Sequence, residues 1–392
     1  IKMLKNIKAK KVLQFIIKDY LKESKYLSLL RHNKQLQNLL DISLKDYKSF
    51  FSIEILLTPK KQLKSEENYF ICINSNNLST SQKSSYYHIY FDENKEEIKR
   101  DYITKKDKVS KIKIIIDPEE KSLRGLFTFC ECLEEINFIK FKRKDIVDMR
   151  EMFAFCKSLS KINLTNFKTD NVTNMSQMFR GCLSLTEIDL SNLNTSKLIN
   201  MKDMFSGCSN LKKINIPKID TSHVINMNNI FNGCSSLEYI SLSDLDTSNV
   251  VDFGFMFLNC SSLKEIYFSE KENNTSKVKD MSLMFSGCSK LKKININNFD
   301  TSNVTNMYRM FSGCSQLEEI DIKNFDTKNV IDMRFMFCEC KSLKKLNIEK
   351  FIINKKCCMR WMFSNTDEEL KKKIREQNEN ISNLAFDDYL IQ

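Results

Sequence analysis

The sequence predicts an α/β solenoid of about ten 26-residue units, with parallel strands on one face and short helices on the other. The first observation is a phenylalanine, usually after methionine, that returns every 26 residues from Phe127 to Phe363, except for one 28-residue step after Phe257. The second is an apolar run with alternating spacing, and the third is a polar turn before the next methionine. Fixed periods of about 20–50 residues indicate stacked repeats that bury their apolar faces against neighbouring units.

The first half of each unit predicts a short strand. A cysteine such as Cys314 is followed by leucine three residues later, by isoleucine or leucine six residues later, and by another apolar residue eight residues later. The alternation of Ile320 and Ile322 places these side chains on one face and their neighbours on the other, as a half-buried strand requires.

The second half of each unit predicts a short helix. A polar segment such as Asp300–Asn303 contains the side-chain oxygens that cap helices. Val304, Met307 and Met310 then follow at helical spacing. A glycine such as Gly313 usually precedes the next cysteine. Because glycine tolerates positive φ, we expect it to end the helix there.

The run MFSGCSQLEEIDIKNFDTKNVIDM (Met310–Met333) resembles the BspA-like leucine-rich repeats, in the variant known from mycoplasma lipoproteins and microbial eukaryotes. The resemblance extends over residues 121–365. It implies a right-handed solenoid that serves as an interaction module or surface protein and carries no catalytic residues. A protein-interaction scaffold is therefore the first expectation, and a cell-surface adhesin or antigen is the alternative.

The flanks predict three further regions. Residues 1–60 carry 13 Lys and Arg against 5 Asp and Glu, and apolar spacing over 8–50 predicts a basic helical head. The head faintly resembles an F-box, so a substrate adaptor of a ubiquitin ligase is the second alternative; contact with an anionic membrane is a lesser one. Residues 61–120 contain the runs 69–74, 86–91 and 111–117, which predict a β-rich cap. Residues 366–392 predict a capping helix.

The residue types disfavour an enzyme, a cofactor site and a metal site. Nine of the 14 cysteines occupy the same slot of successive units, where small apolar side chains suit the interior. Three close cysteine pairs are the weaker metal-ligand alternative, namely Cys130/Cys132, Cys338/Cys340 and Cys357/Cys358. Unpaired thiols in this number favour the cytoplasm, whereas a signal sequence upstream of Ile1 would indicate a cell-surface or secreted protein. There is no apolar run of about 18 residues, so no transmembrane segment is expected.

Two surfaces are predicted to bind a protein partner. On the strand face the outward residues mix both charge signs, which disfavours nucleic acid, and Tyr239 and Tyr267 lie in adjacent units. The second surface comprises two positions per unit before Met-Phe, which are polar in early units. Later units carry interface-type residues there: Phe255, Arg309, Arg334, Phe335, Arg360 and Trp361. The alternative is that these side chains pack, half-buried, against the C-terminal tail.

Overall fold

The computed structural model describes residues 34, 44–63, 65–72, 85–216, 219–269 and 275–389. Among these residues the α-helices are α1 (Leu44–Phe51) and α2 (Glu368–Gln377), and a short 3₁₀ helix spans Asn383–Ala385. The N-terminal strands are β1 (Ile53–Pro59), β2 (Asn68–Tyr69), β3 (Tyr87–Phe91), β4 (Tyr102–Ile103) and β5 (Ile112–Ile116). The strands of the repeats are β6 (Leu133–Lys140), β7 (Lys161–Asn163), β8 (Glu187–Asp189), β9 (Lys213–Asn215), β10 (Tyr239–Leu242), β11 (Glu265–Phe268), β12 (Glu319–Ile320) and β13 (Lys345–Leu346).

One sheet joins the N-terminal strands to the repeats. Its strand order is β3-β5-β1-β6-β7. Strand β1 is antiparallel to both β5 and β6, whereas β6 is parallel to β7. Side chains alternate along β1, so that Ile53, Ile55 and Leu57 are buried. Strand β6 therefore belongs to the N-terminal sheet and to the first coil at once, and it closes that end of the array.

This sheet corrects one expectation for the flanks. The helical head predicted over residues 1–60 does not extend to its end, because Ile53–Pro59 is a strand. The run 111–117 contains β5, which is antiparallel to β1 and separated from the first coil by it. Apart from Lys34 and α1, the predicted helices over 8–50 and the F-box resemblance lie outside the described residues.

The repeats form a β-solenoid of about eight turns. Parallel strands pair as β8–β9, β10–β11 and β12–β13. A second ladder of single parallel bridges connects nine successive positions from Asp148 to Cys358, each one coil further along the chain. These nine positions enclose eight steps, so the structure has about eight turns rather than the predicted ten units.

The predicted helix in each repeat is wrong. The N–H groups of Gln177 and Phe179 donate to the carbonyls of Lys202 and Met204 in the next coil, at 2.8 and 2.9 Å. The Arg180 N–H instead donates to the Gln177 carbonyl at 3.1 Å, which closes a tight turn. Gln177 has φ of 59°, a left-handed conformation that interrupts any helix. Alternate N–H groups are thus used between coils, whereas an α-helix would keep all of them within the segment.

Aromatic and glycine ladders hold the coils in register. The phenylalanine rings stack in parallel from Phe127 to Phe363, with neighbouring ring centroids 5.2 to 5.9 Å apart. Gly207 has φ of +76°, and a Cβ added there would lie 3.6 Å from the Cα of Gly181. The prediction of positive φ at the glycine slot is confirmed, although the glycine ends a series of turns and not a helix.

The cysteine ladder is interior, as predicted, and it also forms hydrogen bonds. The thiol of Cys208 donates to the carbonyl of Phe179 at 3.0 Å, and the same bond recurs in the following coils. None of the 14 cysteines forms a disulfide bond. Burial raises the pKa of Cys208 to about 12, so the thiol stays protonated and available as a donor.

Candidate functional site

The outward side of the strands, here called the strand face, neutralises most of its own charge. Its main column alternates glutamate and lysine from coil to coil, because Glu135 is followed by Lys161 and Glu319 lies between Lys293 and Lys345. The Glu319 carboxylate lies 2.6 Å from the Lys293 ammonium and 3.2 Å from that of Lys345. Hydrogen bonds from these two lysines lower the pKa of Glu319. The face therefore presents paired charges and no stripe of one sign.

Two tyrosines interrupt this charged face near its middle. The strand positions on β10 and β11 place Tyr239 and Tyr267 outward in adjacent coils, with 52% and 55% of each residue exposed. The Tyr267 hydroxyl donates to the Glu265 carboxylate, which raises the pKa of the phenol. The Lys264 ammonium lies 5.6 Å from the centre of the Tyr239 ring. Both rings are thus held in place by charged neighbours and remain open to solvent.

An open groove of about 1090 Å³ runs from Tyr267 to helix α2. Glu265, Lys293 and Glu319 line its floor, and Lys373 of α2 lines its far wall. Helix α2 is fixed there because the Gln377 side chain bonds the backbone at both Leu346 and Ile348, at 3.1 Å each. The groove is therefore a built feature of the described chain, with a tyrosine at one end and a helix at the other.

The second predicted surface, here called the turn face, lies on the tight turns. Its aromatic residues pack closely near the end of the array. Phe335 is 7% exposed, and its ring lies 4.9 Å from that of Trp361. Tyr389 of the C-terminal tail packs edge-on against Phe335 at 5.4 Å and against Trp361 at 5.2 Å. Phe335 and Trp361 therefore pack against the C-terminal tail, which is the alternative that the sequence left open.

The other predicted residues of the turn face differ in exposure. Phe255 is half-buried and has φ of 61°, a conformation that is costly for an aromatic residue. The guanidinium of Arg309 lies 4.4 Å above the Phe335 ring. Arg334 is exposed and forms a two-pronged ion pair with Asp332. Arg360 is exposed and lies 4.3 Å above the Trp361 ring.

The sequence analysis missed a third exposed feature, a stripe of branched apolar side chains beside the bridge ladder. The outward residues in this stripe include Val147, Ile199, Ile225, Val251 and Ile331. Each stands directly before the aspartate or asparagine of the bridge ladder. The sequence does indicate this stripe. In a pair such as Val250-Val251 the first valine fills the core, so the second is an additional apolar residue that faces solvent.

Among the described residues, no three histidine, cysteine, aspartate or glutamate side chains come close enough to hold a metal ion. No described helix is both long and apolar enough to cross a bilayer.

A family model described as "Mycoplasma protein of unknown function, DUF285" matches residues 121–215, 200–269 and 262–377. The chain belongs to this family. Together the three matches extend over the repeats and helix α2. The repeats that the DUF285 model matches are the stacked coils of the solenoid.

Several bacterial leucine-rich repeat proteins of known structure are similar to this DUF285 chain. A protein from Eubacterium ventriosum is 20% identical with a TM-score of 0.33, and the match covers 59% of this chain and 64% of that one, less than two thirds of its length. A protein from Bacteroides ovatus is 17% identical with a TM-score of 0.28, covering 71% and 89%. A "leucine rich cell surface protein" from Faecalibacterium prausnitzii is 18% identical with a TM-score of 0.25, covering 58% and 76%. No curated protein matches the sequence.

Proposed function

We propose that the chain is a non-enzymatic scaffold that binds a protein partner on its strand face. The observation that carries the proposal is the pair Tyr239 and Tyr267, both more than half exposed in adjacent coils. Tyrosine supplies a large rigid ring and a hydroxyl, and it is enriched among the residues that dominate binding energy at protein interfaces. The two rings therefore form the centre of the proposed contact.

The surroundings of the tyrosines suit a protein partner. Glu265 and Lys293 next to them are engaged by Tyr267 and Glu319, so a partner meets few unpaired charges at the centre. Removing unpaired charges from water is costly, and paired polar groups around aromatic anchors resemble the rim of a protein interface. The groove that continues to α2 provides space for a loop or an extended segment.

The buried thiols support a role without chemistry. A thiol acts as a nucleophile only as the thiolate, and burial raises the pKa of Cys208, Cys260 and Cys314 to about 12. Fourteen cysteines without a disulfide bond also favour a reducing compartment, so we place the proposed scaffold inside the cell.

The test is site-specific photo-crosslinking combined with alanine substitution. A benzophenone amino acid at position 239 is expected to capture a protein that Tyr239→Ala/Tyr267→Ala no longer retains in pull-downs. The matched control places the same crosslinker at Lys202, which is exposed on the turn face. If positions 202 and 239 capture the same proteins, or if the double variant retains every partner, the strand-face proposal is wrong.

A further inference from the structure

Three coils of the solenoid carry an arginine two residues after the bridge-ladder position, and two of these arginines are neutralised in the same way. Arg150 binds Asp148 with Nη2 to Oδ2 at 2.7 Å, and Arg334 binds Asp332 at 2.6 Å. In both coils Nε also donates to Oδ1 at 3.0 Å. The coil geometry therefore brings an arginine and the aspartate two residues before it into a two-pronged ion pair.

The third arginine, Arg360, lacks this partner. Cys358 stands where the other two coils have aspartate, and it occupies the corresponding place in the bridge ladder. Among the described residues, no carboxylate lies within ion-pair distance of Arg360. Its guanidinium is instead held 4.3 Å above the Trp361 ring. Stacking on an aromatic ring fixes the plane of the guanidinium and leaves its N–H groups available at the edge.

A second arginine of the turn face is also without an acid in the described part of the chain. The Arg309 guanidinium lies beside two aromatic rings, 4.4 Å from the centre of Phe335 and 5.5 Å from that of Tyr308. Its Nε is buried and has no acceptor among the described residues. Arg309 lies two coils before Trp361, which is a separation of about 10 Å along the stack.

We propose that Arg360 and Arg309 form a docking site for an acidic segment of a protein partner. One carboxylate of the segment takes the place of the aspartate that Cys358 replaces, and a second carboxylate reaches Arg309. An extended chain advances about 3.3 Å per residue, so acidic residues about three positions apart match the distance between the two arginines.

The chain itself indicates a carboxylate as the ligand. Arg150 and Arg334, which occupy the same position as Arg360 in their coils, each bind a carboxylate through Nε and Nη2. Trp361 beside Arg360 is half-buried, and its remaining exposed surface provides apolar contact for the rest of the segment. This site lies on the turn face and uses none of the strand-face residues, so it stands or fails independently of Tyr239 and Tyr267.

The experiment measures binding of a fluorescein-labelled hexaglutamate peptide to the full chain by fluorescence anisotropy at low salt. Arg360→Gln is expected to weaken binding about tenfold, because a charge-assisted two-pronged bond is lost. Cys358→Asp is expected to weaken it equally, because it restores the internal ion pair while keeping Arg360. Two matched controls are expected to bind as the natural chain does: Cys358→Ser, which adds no charge, and Arg150→Gln, whose arginine is already paired.

Three results would overturn the proposal. The first is unchanged hexaglutamate affinity in Cys358→Asp, and the second is equal binding of a hexaglutamine peptide. The third is binding of tripolyphosphate without binding of hexaglutamate, which would assign the arginines to phosphate. Urea unfolding midpoints of all variants are compared first, and since Cys358 and Arg360 are exposed we expect these midpoints to agree.

Discussion

The turn face and the strand face of the same coils are held together very differently. On the turn face, every coil donates alternate N–H groups to the next coil, and the phenylalanine and cysteine ladders lie directly beneath. On the strand face, described pairing is confined to short segments, such as the two-residue strands β12 and β13. The turn face therefore provides most of the hydrogen bonds and packing contacts between coils.

Because of this difference, residues of the turn segment determine stability, whereas outward residues of the strand face are available for binding. The inward side chains of the turn segment are restricted by close ring stacking and by the buried thiols, so few residue types fit at those positions. Outward residues of the strand face contribute little to stability, because exposed ion pairs are each worth about 0–1 kcal/mol. The strand face is thus free to vary between coils, as the tyrosines at 239 and 267 illustrate.

The largest expected effect is alkaline unfolding through the turn face. The pKa of a ladder thiol such as Cys208 rises from its ordinary value of 9.0 to about 12 in the folded chain. The unfolded chain therefore loses these protons first, and stability that is complete below pH 9 falls as the pH rises toward 12. Each such thiol lowers the free energy of unfolding by about 1.4 kcal/mol per pH unit in that window, which urea unfolding at pH 8, 9 and 10 measures.

A double variant assigns this pH dependence to the thiols. Cys208→Ala/Cys260→Ala removes two of these groups, so its free energy of unfolding should fall less steeply, by about 2.7 kcal/mol per pH unit. An unchanged slope would show that other groups, such as tyrosines and lysines, cause the alkaline loss.

The second prediction compares one aromatic residue from each face. Phe205 is buried in the ring ladder, so Phe205→Ala should lower the free energy of unfolding by about 3–5 kcal/mol. Tyr239 is exposed on the strand face, and Tyr239→Ala should change it by less than about 0.5 kcal/mol. Urea denaturation of both variants tests the separation of the two faces, and equal losses would refute it.

The smallest expected effect distinguishes two residues within the turn face. Phe255 and Phe335 occupy equivalent slots with φ of 61° and 58°, but only Phe335 is packed against Trp361 and Tyr389. Phe335→Asn should cost about 2–3 kcal/mol, whereas Phe255→Asn should change stability by less than about 1 kcal/mol, since asparagine tolerates this backbone. Asn229 already occupies the slot one coil before Phe255, with φ of 60°. Thermal unfolding of both variants decides whether packing or exposure governs this slot, and similar losses would contradict the distinction.

Much of the repeat could be predicted from spacing alone. The period located the Phe and Cys ladders, and the glycine slot indicated positive φ, because these features depend on residue type and position within one unit. The helix was mispredicted because Val304, Met307 and Met310 are spaced alike in a helix and in a series of turns. What decides between them is the bonding of alternate N–H groups to the next coil, which no local pattern shows.

The candidate sites were less predictable for a similar reason. Tyr239 and Tyr267 were found from the alternation of the strands, and the structure places both outward. The packing of Tyr389 on Phe335 and Trp361 involves the return of the tail, which sequence spacing cannot locate. Arg360 lacks an ion pair because Cys358 stands where the coils of Arg150 and Arg334 have aspartate, and the role of that aspartate became visible only through the ion pairs of those coils.

The 28-residue coil shows how such an array accommodates changes in length. The sequence between Phe268 and Thr275 is two residues longer than the one between Leu242 and Thr247. The rings of Phe257 and Phe285 nevertheless stack at 5.8 Å, and Cys288 still donates to the Phe257 carbonyl. Two additional residues before Thr275 therefore leave both ladders in register, because the turn segments that carry the rings and thiols keep their own length.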